Sequence, residues 1–212
     1  MKVEWVTVGP FQENSYLLID DASRRAVLVD PGDEAMRIVR LVDAAEAQVE
    51  GIWLTHGHLD HVGAVAALKR RWDVPVLLHP DDLILHRRAS QQAAFYGIPF
   101  EQPPDPDGPL QDGQELTIGA STFVVRHTPG HSPGHVVFIS DAVMIGGDLL
   151  FAGSIGRTDL PLSSPEAMEQ SLSLISTFNP DLVVYPGHGP PTNIATELAT
   201  NPFLSGSARS SL

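Results

Sequence analysis

The sequence predicts an α+β protein in which two mixed β-sheets pack together and carry helices on both outer faces. Two features predict it: β-rich runs give way to strand–helix units, and this progression occurs twice along the chain. A third is the lack of any short-period repeat or strong linker, so residues 1–212 are read as a single domain. Hydrophobic side chains make up 42% of the chain, enough for one sizeable core.

The elements follow in order. Residues 3–7, 16–19 and 26–29 are β-rich and are separated by Gly9-Pro10 and by a polar turn over 20–25. Asp30-Pro31-Gly32-Asp33 closes the third run, and a helix is expected over 34–46, with Ile38, Leu41, Val42 and Ala45 on one face. Residues 51–55 read as a short buried strand. A helix over 62–72 repeats Val62, Val65, Ala66 and Leu68 at helical spacing. Next come a strand over 74–78 and a helix over 80–88 that begins with proline. Five prolines mark 98–109 as a surface loop. The wider stretch 91–109, with Phe95, Tyr96 and Phe100, is read as an exposed loop and a candidate substrate wall or dimer contact. The second half predicts strands over 114–118, 122–126, 136–139 and 142–145. A helix over 165–177, a strand over 182–185, a helix over 194–200 and a fraying Ser-rich tail over 205–212 complete it.

Composition narrows the chemistry. The chain has no cysteine, which excludes disulfides, thiolate metal sites, iron–sulfur clusters and a cysteine nucleophile. Its net charge of −13 stays strongly negative even with two divalent ions bound, so a nucleic acid is repelled. Lys69-Arg70-Arg71 and Arg87-Arg88 are short and read as solvated helix faces. The first six residues lack the apolar segment of a signal peptide, and no apolar run approaches the roughly 20 residues of a membrane span. A soluble cytoplasmic protein with a small-molecule substrate and no membrane or nucleic-acid partner is expected.

The chemistry-bearing segment is Thr55-His56-Gly57-His58-Leu59-Asp60-His61. In extended or loop backbone, His56, His58 and Asp60 alternate onto one side while His61 faces elsewhere. This is not the helical His-Glu-x-x-His pattern. Four ligand-type side chains so close together exceed one tetrahedral site that also recruits distant residues. His131, Asp148 and His188 bring the candidates to seven, which divides into two metal sites sharing one bridging carboxylate. His131 sits at the centre of His127-Thr128-Pro129-Gly130-His131-Ser132-Pro133-Gly134-His135, where two prolines and two glycines set a turn. His127 and His135 read as supports for it. Asp148 follows Gly146-Gly147, and His188 lies in Tyr185-Pro186-Gly187-His188-Gly189-Pro190. Every candidate is expected in a loop just after a strand, so the strand ends converge on one edge of the sandwich. His79 and His86 read as ordinary structural histidines.

Thr-His-x-His-x-Asp-His, Thr-Pro-Gly-His, Gly-Asp and Pro-Gly-His-Gly, in this order and preceded by Gly9-Pro10-Phe11-Gln12-Glu13-Asn14-Ser15-Tyr16, resemble the metallo-β-lactamase superfamily. Within it the pattern is most similar to glyoxalase II-type hydroxyacylglutathione hydrolases, especially their short bacterial form. The resemblance implies a four-layer αββα sandwich. It implies His56, His58 and His131 on one ion, Asp60, His61 and His188 on the other, and Asp148 bridging. It also implies two divalent ions, zinc first, with iron or manganese fitting the same ligands. The expected reaction is hydrolysis of a thioester such as S-lactoylglutathione by a hydroxide held between ions about 3.5–4 Å apart. Asp60 would orient that hydroxide, and the thiol would leave as thiolate, having a free pKa of about 8.5.

Long members of the group place Lys and Tyr in the loop after Gly-Asp, where this chain reads Gly153-Ser154-Ile155-Gly156-Arg157-Thr158-Asp159. Arg157 is therefore the candidate anchor for a substrate carboxylate. The run Gly156-Arg157-Thr158-Asp159 also resembles mononuclear iron persulfide dioxygenases of the same superfamily, the alternative reading. Hydrolysis of another acyl ester or a lactone is a further alternative.

Overall fold

A computed structural model describes residues 1–205 of the chain. The expected frayed tail lies outside the described residues except for Ser205, whose N–H donates to the Asn201 carbonyl at 2.9 Å.

The first sheet runs in chain order: β1 (Lys2–Val8), β2 (Glu13–Ile19), β3 (Arg25–Val29), β4 (Gln48–Trp53), β5 (Val76–Leu78) and β6 (Gly108–Pro109). Its first three strands are antiparallel and the rest pair in parallel, so the sheet is mixed. The second sheet contains β7 (Glu115–Ile118), β8 (Ser121–His127), β9 (Val136–Ile139), β10 (Val143–Gly147), β13 (Val183–Pro186) and β14 (Thr192–Asn193), in the order β14-β13-β10-β9-β8-β7. Only β10 and β13 pair in parallel there. A small hairpin of β11 (Leu150–Phe151) and β12 (Ser154–Ile155) stands beside it.

The side-chain alternation of the central strands explains the layering. In β2, Leu17 and Ile19 face a layer built from α1 (Ala35–Ala44), α3 (Val65–Trp72) and α5 (Ala89–Tyr96). Tyr16 and Leu18 on the same strand face the other sheet, where Val27, Val29 and Trp53 meet Phe123, Val125, Phe138 and Ile145. On the far side, Met168, Leu172 and Ile175 of α6 (Pro165–Ile175) and Ile194 of α7 (Ile194–Thr200) cover Val137, Met144 and Val184. The result is helix, sheet, sheet, helix: the expected αββα sandwich.

Several local expectations need correction. Residues 91–96 are not loop but belong to α5, whose Ala89 and Ala93 are buried while Phe95 is 85% exposed. Two small residues make too faint an apolar face to register as periodicity. The proline-rich stretch ends in β6, a two-residue strand joined to β5. The helix expected over 80–88 is a 3₁₀ turn, Pro80–Asp82, followed by α4 (Leu83–Arg87). Asp60 and His61 lie not in a loop but on the one-turn helix α2 (Leu59–Val62), which forms because Leu59 and Val62 both reach the core.

Phe138 is fully buried between the sheets, with its ring 5.2 Å from that of Trp53. Phe138→Ala should lower unfolding free energy by about 3–5 kcal/mol in urea titrations. A loss under about 1 kcal/mol would mean the sheets do not close on this residue.

Candidate metal centre

Four separate chain segments meet on one edge of the sandwich. Thr55, His56 and His58 follow β4, Asp60 and His61 occupy α2, and His131 sits in the turn between β8 and β9. Asp148 follows β10, and His188 follows β13. Ligand-type atoms of His56, His58 and His131 lie within 4.8 Å of one another, and so do those of Asp60, His61 and His188. His58 Nδ1 and His131 Nε2 stand 2.9 Å apart.

Asp148 lies between the two triads. Its Oδ2 is 3.4 Å from His131 Nε2 and 3.5 Å from His188 Nε2, while its Oδ1 is 3.4 Å from His61 Nε2. His188 Nε2 is also 3.4 Å from Asp60 Oδ2. All seven candidate residues therefore meet in one cluster.

Hydrogen bonds behind the rings set which nitrogen faces inward. His61 Nδ1–H donates to Asp30 Oδ2 at 3.0 Å. Asp30 also accepts the Thr55 N–H at 2.7 Å and its hydroxyl at 2.6 Å. The Thr55 oxygen in turn accepts His56 Nδ1–H at 3.0 Å, and the Arg157 carbonyl accepts His131 Nδ1–H at 2.9 Å. In all three rings Nε2 is the nitrogen turned toward the cluster, free to bind a cation whenever the imidazole is neutral. His56 Nε2, His61 Nε2 and Asp148 Oδ1 are buried with no hydrogen-bond partner. Buried lone pairs gathered without a donor fit a cation.

The electrostatics agree. Burial, reinforced by neighbouring imidazoles, holds His56 well below the usual histidine range and His58 at about 3. Burial also disfavours charge on His61 and His188, but the carboxylates win: Asp148 and Asp60 lift His61 well above its ordinary value and His188 to about 10. Burial would raise Asp148, yet His61 and His188 hold it well below the carboxylate range. One buried and one part-buried carboxylate thus favour positive charge at this point, as protons or as a metal ion.

The supports are equally local. His135 Nε2 accepts the Asp148 N–H at 3.0 Å, and its Nδ1–H donates to Thr128 Oγ1 at 2.9 Å. His135 thus has the supporting place that its flanking position suggested, and His127 donates to the Pro133 carbonyl at 2.9 Å. Gly147 sits at φ +47°, where a Cβ would fall 2.5 Å from Thr55 Oγ1 and 2.7 Å from His135 Nε2. At Gly187 a side chain would run into Asp148 Oδ1 and His61. The Arg157 side chain is exposed and paired with Asp159 at 2.8 and 2.9 Å; only its carbonyl reaches the cluster. Three buried carboxyl groups near the centre were not anticipated: Asp30, Asp82 and Glu13. Burial pushes the Glu13 carboxyl well up, and its Oε2 accepts the Ser15 hydroxyl at 2.9 Å. Asp30 before Pro31-Gly32 and Asp82 two residues after Pro80 read as turn chemistry, although Asp30 ends a strand as the ligand segments do.

Comparison with known proteins follows from this geometry. The sequence profile of the Metallo-beta-lactamase superfamily matches residues 8–188. The chain is 37% identical over 209 residues to the hydroxyacylglutathione hydrolase GloC of Haemophilus influenzae, covering 96% of this chain and 98% of that protein. Among solved structures it is similar to TTHA1623 in a di-iron-bound form, with a TM-score of 0.88 and 45% identity, covering 95% of this chain and all of that one (100%). It is also similar to BLEG-1, a B3 metallo-beta-lactamase, with a TM-score of 0.89 and 36% identity over 97% of this chain and 100% of that one.

Gly187→Ala should destabilise the metal-free protein by about 1–3 kcal/mol, because the new methyl meets atoms fixed by several bonds. Urea unfolding checks this, and an unchanged midpoint would mean the Pro-Gly-His turn does not press on Asp148.

Proposed function

From a chain that belongs to the metallo-β-lactamase superfamily, we propose a hydrolase that uses two divalent ions to cleave acyl thioesters, S-lactoylglutathione among them. In this reading His56, His58 and His131 hold one ion, Asp60, His61 and His188 hold the other, and Asp148 binds both. The observation that carries it is Asp148, buried and within 3.5 Å of a histidine from each triad. Zinc suits the all-His/Asp donor set, and iron fits it as well. When bound, such ions polarise an acyl oxygen and lower the pKa of water toward about 7.

The chain's own residues supply the rest. Asp60, with 19% of its side chain exposed, is the carboxylate of the second triad that faces solvent, and it orients the incoming water. A thiolate leaves without a protein acid, since thiols ionise near pH 8.5. Consistent with that, Lys2 and Lys69 are paired elsewhere, with Glu4 and Asp107. The identity to the Haemophilus hydroxyacylglutathione hydrolase supports the thioester class. A single-iron reading would leave Asp60, His61 and His188 gathered with no ion to hold. Lactam hydrolysis is the second reading, favoured by the likeness to BLEG-1.

Two outcomes are expected. Zinc- or iron-loaded protein should hydrolyse S-lactoylglutathione, and His188→Ala should cut kcat/KM by more than about 100-fold, beyond the usual cost of residues behind the ligands. No turnover with either metal would refute thioester hydrolysis, and faster turnover of nitrocefin would establish the lactam reading. The second outcome concerns pH. His61 and His188 carry raised pKa values in the metal-free protein, so their protons must leave for a metal to bind. Metal affinity should therefore rise with pH, continuing toward the value of about 10 for His188. Calorimetry at pH 7 in buffers of different ionisation enthalpy should register proton release; none would contradict the assignment.

A further inference from the structure

Asp82 ends the 3₁₀ turn before α4 and is fully buried. Its Oδ2 accepts the Gly57 N–H at 2.8 Å and the Ser132 hydroxyl at 2.7 Å, and its Oδ1 accepts the Gly134 N–H at 2.5 Å. Gly57 lies between His56 and His58, and Ser132 and Gly134 follow His131. One carboxylate therefore ties together the two loops that deliver all three imidazoles of the first triad.

Close packing at both loops points the same way. A Cβ at Gly57 would stand 2.7 Å from the Asp82 carbonyl oxygen, and one at Gly134 would stand 2.6 Å from the Asp82 nitrogen. Both backbone donors are glycines, so each loop can lie directly against the turn that carries Asp82. Neither His56, His58 nor His131 touches Asp82 through its ring-nitrogen hydrogen bonds; the carboxylate acts on the backbone between and beyond them.

We propose that Asp82 is the positioning residue of the His56, His58 and His131 site, setting the spacing of the two loops so that three nitrogens converge on one ion. This rests on the reading of that triad as a metal site. The second triad has no hydrogen bond to Asp82 and relies on Asp30 behind His61 instead. Asp82 therefore governs one ion more than the other.

The three partners all donate hydrogens, which makes Asp82→Asn a discriminating change. Asparagine keeps the shape but replaces one oxygen with an NH2 group. Whichever way the amide turns, that group faces a backbone N–H, of Gly57 or of Gly134. If Asp82 only filled space, this isosteric variant would behave as wild type.

The test is cobalt(II) titration of metal-free wild type, Asp82→Asn, Ser132→Ala and the reference variant His58→Ala, followed by calorimetry and visible spectra. Wild type should take up two ions. In Asp82→Asn one ion should bind about 10–100-fold more weakly, the usual cost of losing a group behind a ligand. The ion that remains should have the spectrum of the one retained by His58→Ala. Ser132→Ala removes one of the three bonds and should weaken the same ion by a smaller factor, which keeps the proposal open to refutation even if Asp82→Asn folds poorly. Two ions bound to Asp82→Asn with wild-type affinity would overturn the proposal, as would equal weakening of both. A wild-type protein that takes up no ion in the first triad would overturn the metal-site reading together with it.

Discussion

Everything at the centre depends on burying two acidic groups where they cannot stay unaccompanied. Asp148, buried, and Asp60, part-buried, lie among five imidazoles at the edge of a sandwich. A buried carboxylate without a positive partner is costly enough to unfold or protonate the site. In the metal-free chain the nearest positive charge is a proton on His61 or His188. A divalent cation would meet the same demand with more charge, taking the place of the proton on His61 and using the lone pair of His56 Nε2, which otherwise has no partner. The electrostatics and the ligand types thus point the same way, toward a site suited to a cation.

The fold serves that requirement by bringing strand ends to one edge. β3, β4, β10 and β13 are central or near-central strands, and the segments just beyond them supply Asp30, the histidine cluster, Asp148 and His188. Strands whose C-terminal ends are largely buried fix where these segments begin, and glycines let their backbones pass within contact of one another. A second ring of polar groups then orients the first. Asp30 and Thr55 aim His61 and His56, the Arg157 carbonyl aims His131, and His135 holds the Asp148 backbone.

Much of this was legible in the sequence because the relevant signals are short-range. The β-rich run of β2, the apolar face of α1 and the spacing of His56, His58 and Asp60 each lie within a dozen residues. Counting ligand types against the capacity of one site pointed to two sites, and the resemblance to the metallo-β-lactamase superfamily implied which residues belong to each. What escaped was of two kinds. Very short elements such as β6, β11 and β12 take their stability from neighbours and leave no periodic pattern. The helix α5 escaped because only Ala89 and Ala93 face inward, while Phe95 and Tyr96, the residues that attract attention, are exposed. Asp30 and Asp82 escaped for a different reason. Their partners are 25 and 50 residues away, and an aspartate beside proline reads locally as a turn residue. Arg157 illustrates the converse, since its side chain stood out in the sequence but its carbonyl is what touches the cluster.

The chain is similar to a Haemophilus hydroxyacylglutathione hydrolase, to a di-iron-bound protein and to a B3 metallo-beta-lactamase. A pair of ions is the claim on which the proposed function stands. Anomalous diffraction at the metal edge, from crystals of the metal-loaded protein, tests it most directly. The account predicts two peaks, one against His56, His58 and His131 and one against Asp60, His61 and His188, with an Asp148 oxygen on each. A single peak, or two peaks that do not share Asp148, would contradict it.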